Sequence, residues 1–180
     1  MGYYTITTGN VVNAGNKNGQ TSPTWNHTVT SGLKKLLVVV RSSRNGGAIA
    51  SMTFNGVSMT KAKSQGACEI WYLVNPSVGT YAVSVSTTPD ASHDYYGSVD
   101  FSGVDQTAPV NTTNGASSTA SSLNIPFTTN LAGCVELSSS YTNTASISVG
   151  GGQSTIFDVD SNDSFASGYK TGLGYIFRFR

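Results

Sequence analysis

The residues able to do chemistry in this chain are few, and their spacing limits what they can do. His27 sits in Trp25-Asn26-His27-Thr28-Val29 with no acid or cysteine beside it in sequence. That setting favours a hydrogen-bonded structural imidazole over a base or a metal ligand. Hydrolytic sandwiches need two neighbouring carboxylates, or a nucleophile with its base. Glu69 and Glu136 are the only glutamates; each falls in an expected strand, and they read either as a pair facing one another across a sheet or, equally well, as outer-face charges. His93-Asp94 falls in an expected turn, with no Gly-x-Ser-x-Gly elbow beside it. No catalytic residue is assigned, and the chain is read as non-enzymatic. Cys68 and Cys134 are too far apart in sequence for a metal cluster or a disulfide framework, and read as reduced, small core residues. Asp158-x-Asp160-x-Asn162 begins as a calcium loop does, but Asp163 stands where Gly is needed and no glutamate follows. Asp158, Asp160 and Asn162 are therefore calcium candidates on an incomplete pattern, with a solvated turn as the alternative, and no cofactor is expected. Tyr95 and Tyr96, with Tyr141 and Tyr169, are candidates for stacking on sugar rings. Tyr3, Tyr4 and Ile6 are candidates for pairing with a sheet edge.

Short alternating runs must position these groups. Between Cys68 and Val104 lie three of them: Glu69 to Val74; Tyr81, Val83 and Val85 alternating with Ala82, Ser84 and Ser86; and Val99 and Phe101 alternating with Asp100 and Ser102. Strict alternation is read as one buried face and one wet face. Trp71 and Tyr81 are expected to meet across an antiparallel pair. Leu36-Leu37-Val38-Val39-Val40 is apolar on both faces and reads as a central strand. Asn55-Gly56 fits a two-residue type I′ hairpin, which would put Met52 and Phe54 on one face with Val57 and Met59. Asn75-Pro76 ends a strand, since proline cannot donate to a ladder. Asp105 reads as a turn residue bonding nearby backbone N–H groups.

Residues 1–24 are read as a lead segment, a strand at Tyr3–Thr8 and then an Asn/Gly-rich tether from Gly9 to Gln20. It is either an arm that pairs with a sheet edge or the domain's own first strand. Residues 25–180 are read as one β-sandwich domain, with a long Ser/Thr/Asn/Gly connection up to Ser122 and further strands at Leu123–Phe127, Val135–Tyr141, Thr155–Val159, Phe165–Tyr169 and Tyr175–Phe179. No window has helical spacing. The fold class is all-β, an antiparallel two-sheet sandwich.

Composition narrows the partners. Charged residues are 11%, well below the roughly 25% usual for soluble domains, so hydroxyl and amide groups must cover the surface. A net charge of +1 leaves no electrostatic footprint for nucleic acid. The longest apolar run is too short to span a bilayer, and MGYYTITTGN lacks the features of a secretory signal. No membrane insertion is expected, and synthesis in the cytosol is.

Four segments together resemble a family of β-sandwich domains found in phage virion proteins and in bacterial surface or secreted proteins. They are Met52–Lys61 (MTFNGVSMTK), Ile70–Pro76 (IWYLVNP), Gly79–Val83 (GTYAV) and Val99–Gln106 (VDFSGVDQ), with weaker echoes at Gly151-Gly152-Gln153 and Ser167–Lys170. The resemblance implies a jelly-roll-like sandwich used for display, decoration or adhesion, without catalytic residues. Together with the low charge and the edge-capable lead strand, it points to a virion location, capsid or other virion proteins as partners and a homo-oligomer. A carbohydrate-binding or adhesion module is the alternative.

Overall fold

Five consecutive aliphatic residues cannot alternate between core and water, so a strand made of them has to be covered on both faces. In the computed structural model that strand is β3 (Leu36–Ser43), every residue of which is buried. The structure describes residues 5–45, 47, 49–87, 93–117, 134–142, 146–148, 152–160, 164–172 and 177–179. Among these, the chain runs through β1 (Thr7–Asn16), β2 (Thr24–Val29), β3, β4 (Ile49–Phe54), β5 (Val57–Ser58), β6 (Thr60–Gln65), β7 (Cys68–Val74), β8 (Gly79–Thr87) and β9 (Asp94–Ser102). It continues through β10 (Cys134–Thr142), β11 (Ser154–Val159), β12 (Ser164–Gly172) and β13 (Phe177–Phe179).

The strands form an all-β sandwich. A central sheet has the order β1-β9-β3-β7-β6, a front sheet β2-β8-β4-β5 and a back sheet β11-β12-β10-β13. Neighbours are antiparallel, apart from the parallel pair β10 and β13. Central and front sheets interleave as two Greek keys, β1-β9-β3-β7 over β2-β8-β4-β5, which is jelly-roll topology. The expected sandwich is therefore present, and a third layer lies behind it.

β3 shows why three layers are needed. Its even-numbered aliphatics, Leu36, Val38 and Val40, pack with Ile70, Val99 and Phe101 against Leu137, Phe157 and Phe165 of the back sheet. Its odd-numbered ones, Leu37 and Val39, pack with Trp71 against Trp25, Met52, Phe54, Val83 and Val85 of the front sheet. Each such side chain stabilises by about 1.5–3 kcal/mol when fully buried.

Local sequence sets several boundaries as expected. Asn55 and Gly56 both have positive φ (49° and 74°), as a type I′ turn requires. Met52, Phe54 and Met59 are buried, whereas Val57, at the tip, is half exposed. β7 stops before Asn75, whose N–H makes a last cross-strand bond to Lys35 O and whose positive φ (49°) turns the chain away. Asp105 Oδ1 accepts from Thr107 N and Ala108 N at 2.8 and 3.2 Å, and these bonds hold its carboxyl below the ordinary value.

Three expectations are corrected. The first strand runs over Thr7–Asn16, through the stretch read as a tether, and pairs with β9 of its own sheet. Trp71 and Tyr81 are not cross-strand partners. Trp71 pairs with Val39 and Lys61 in the central sheet, while Tyr81 pairs with His27 in the front sheet, because the jelly-roll connection carries the chain across the sandwich between them. The Asp100 side of β9 is not wet: it faces the front sheet and is buried.

Candidate functional site

Burying Ser98 and Asp100 obliges the opposing sheet to supply partners. β2 does so through its inward residues Trp25 and His27. Asp100 Oδ1 accepts from Asn10 N at 2.6 Å and from His27 Nε2 at 3.1 Å. Asp100 Oδ2 accepts from Thr30 N at 3.1 Å and Thr30 Oγ1 at 2.7 Å. His27 Nδ1 lies 2.8 Å from Ser98 Oγ, which accepts from Trp25 Nε1 at 3.1 Å. These partners assign the protons: Ser98 Oγ accepts from the indole and donates to His27 Nδ1, and His27 carries its hydrogen on Nε2 for Asp100. Burial acts to raise the Asp100 pKa, but the bonds from His27, Thr30 and Asn10 outweigh it and hold the carboxyl below its ordinary value.

The backbone is shaped to the carboxylate. The β1–β9 register shifts between Thr8 and Val11, and a Cβ on Gly9 would lie 2.1 Å from Asp100 Oδ2. Only glycine lets β1 close over the group at this point.

Hydroxyl, imidazole and carboxylate in one hydrogen-bonded line is the pattern of an activated nucleophile. Here His27 and Ser98 are 0% exposed and Asp100 1%, so no acyl group reaches the oxygen. What the line does is join β1, β2 and β9 across two sheets.

A second buried polar group lies at the Arg41 end of β3. All three guanidinium nitrogens are bonded: Nε and Nη2 to Asp94 at 2.9–3.1 Å, and Nη1 to Gly47 O at 2.9 Å and Glu69 Oε1 at 3.2 Å. Glu69 Oε2 takes Lys61 Nζ at 2.8 Å and accepts from Trp71 Nε1 at 2.9 Å. Two cations and two carboxylates thus balance. Tyr96 OH donates to Asp94 Oδ2 at 3.4 Å, and burial pushes its phenol well above the ordinary value.

The candidate residues named from sequence are scattered. Tyr96 is fully buried with its ring 5.5 Å from that of Trp25, so it offers no sugar platform. Tyr95 and Tyr141 pack on Phe165 at 4.5 and 5.2 Å, and Tyr169 meets Phe101 edge-on at 5.7 Å. Ile6 packs against the central–back core, while Tyr3 and Tyr4 lie outside the described residues. Asp158 is exposed on β11; Asp160 accepts from Ser146 and Ser164, both at 2.7 Å, which lowers its pKa; Asn162 lies outside the described residues. Among the described residues no group of three His, Cys, Asp or Glu side chains is placed to hold a metal ion.

Glu69 and Glu136 are buried rather than outer-face charges; Gln153 Nε2 donates to Glu136 Oε1 at 2.8 Å. Asp94 likewise opens a strand instead of lying in a turn. Cys68 is a free, buried thiol whose pKa burial pushes up to about 11. Sequence reasoning missed Ser98, Asp100 and Arg41; for the first two the available signal was the polar half of β9's alternation, read with the wrong side wet.

The outer face of the front sheet is the plainest exposed surface. Thr24, Asn26 and Thr28 of β2 and Thr80, Ser84 and Ser86 of β8 all face solvent, with no charged residue on either strand. No helix among the described residues is long and apolar enough to cross a membrane. No family model, no curated protein and no solved structure matches this chain.

Proposed function

We propose that the protein is a non-enzymatic structural protein of a virion, decorating a capsid through protein–protein contacts and self-association. The observation that carries this reading is the use made of the polar residues. The groups with catalytic potential are consumed inside the sandwich, and the front face offers only short uncharged side chains. Such a face suits broad contact with another protein surface, where hydroxyl groups make hydrogen bonds without the cost of desolvating charge. Jelly-roll topology is compatible with this use, although a fold alone does not dictate function. Tyr95, Tyr141 and Tyr169 are each only partly exposed and pack on a phenylalanine, which reduces the ring surface left for a glycan.

The test is co-sedimentation of the purified chain with capsids assembled without it, together with its native mass. Saturable binding at a fixed number of copies per capsid supports the reading. A chain that stays monomeric and never pellets with the capsids refutes it.

A further inference from the structure

Among the described residues, the back sheet meets the rest of the molecule through the face that packs on the central sheet. Among the described residues its strands pair through their backbones with one another and with no strand of the other two sheets. The contact with the central sheet includes the packing of Leu137, Phe157 and Phe165 on Val38, Ile70 and Phe101, and a polar pin at Ser139. In that pin Ser139 Oγ donates to Arg41 O at 2.7 Å and lies 2.6 Å from Ser42 Oγ. The chain leaves the central sheet after Ser102, is described as far as Ser117 and resumes at Cys134. The intervening residues 118–133 can extend to on the order of 50 Å, enough to reach past one small domain.

We propose that the back sheet is exchangeable: the back sheet of one copy seats on the central sheet of a second, and the homo-oligomer is built by this exchange. The seat in trans is the seat in cis, so no new surface is needed and no backbone ladder among the described residues has to break. An uncovered central sheet would expose Leu36, Val38, Val40, Ile70, Val99 and Phe101 together, so each opened copy is driven to accept a partner's sheet. A second copy fits this seat better than an unrelated protein, because it brings the residues already complementary to it, Ser139 included. The inference rests on the self-association part of the function proposed above and is independent of the capsid.

The Ser42–Ser139 contact supplies the test. In a full-length chain carrying Cys68→Ser and Cys134→Ser, the changes Ser42→Cys and Ser139→Cys set two thiols across the seat at disulfide range. The protein is oxidised at a concentration where its native mass is oligomeric, then run under denaturing, non-reducing conditions. Covalent dimers or higher ladders that collapse on reduction are expected. Chain-length species with both thiols consumed would overturn exchange while leaving self-association standing. A native mass of one chain at every concentration would overturn both. The single change Ser139→Cys, beside the resident Cys68, repeats the readout should the multiple variant misfold; absence of any cross-link there would mean the seat is not built as described and would also overturn the proposal.

Discussion

Asp100→Asn isolates the work done by the buried carboxylate, because it keeps the shape and replaces one oxygen by a donor. In the native protein four donors converge on this group, two on each oxygen: Asn10 N and His27 Nε2 on Oδ1, Thr30 N and Thr30 Oγ1 on Oδ2. An amide can accept on one side only. If its nitrogen takes the Oδ2 position, Thr30 Oγ1 can rotate to accept from it, but the Thr30 backbone N–H cannot. If it takes the Oδ1 position, His27 can change tautomer, but the Asn10 N–H cannot. One backbone donor is orphaned either way, costing about 1–3 kcal/mol. For a chain of this length that is a fall in Tm of roughly 2–12 °C. Urea unfolding should show a lower midpoint at unchanged m.

The pH dependence follows from the direction of the Asp100 shift. A carboxyl whose pKa is lower folded than unfolded contributes stability that is complete above the unfolded value, about 3.9. That contribution is lost as pH falls through the folded value. The gap between wild type and Asp100→Asn should therefore be constant from neutral pH down to about 5 and shrink below about 4. Equal stability of the two proteins at pH 7, within about 0.5 kcal/mol, would refute the account of the seam as a satisfied network.

Three further outcomes are expected. Gly9→Ala puts a methyl group 2.1 Å from Asp100 Oδ2 and 2.5 Å from Thr30 Oγ1, and should cost about 1–3 kcal/mol in urea unfolding as β1 moves off the carboxylate. Arg41→Ala leaves Asp94 and Glu69 buried without their shared cation and should cost about 3–5 kcal/mol, seen as a large fall in calorimetric Tm. Gly56→Ala meets no atom within 4 Å, so only the positive φ opposes it; a loss of about 1–2 kcal/mol by chemical denaturation is expected.

Much of the fold could be read where one strand faces one environment. Trp25, His27 and Val29 alternate with exposed residues, and β8 does the same over Val83–Ser86, so their inner faces follow from period two. Leu36–Val40 announced a strand covered on both sides, and Asn55-Gly56 its own turn. β9 misleads because alternation reports which residues share a face, not whether that face is dry. Asp100 and Ser98 look like a wet face, and the partner that makes burial tolerable, His27, lies 73 and 71 residues earlier. β1 was displaced for a related reason: the register break at Gly9-Asn10 interrupts its alternation, and what compensates is again the distant Asp100.

The polar seam is better explained by selection of register than by net stability. Buried hydrogen-bonded groups contribute little over an apolar replacement of the same shape, since desolvation offsets most of the gain. Their effect is on alternatives. A slip of β2 by one residue would turn Trp25, His27 and Val29 outward and set Asn26 and Thr28 against β9. In an interface built only from interchangeable aliphatics, such a slip forfeits packing that neighbours can partly restore. Here it also takes His27 and Thr30 from the Asp100 carboxylate and Trp25 and His27 from the Ser98 hydroxyl, and no neighbour can restore those. The front–central interface, where the chain crosses repeatedly between sheets, carries both buried polar networks, and their long-range partners discriminate against mispaired strands. The central–back interface is mainly apolar with a serine pin, and a seat of that kind re-forms readily with another copy of the same sheet.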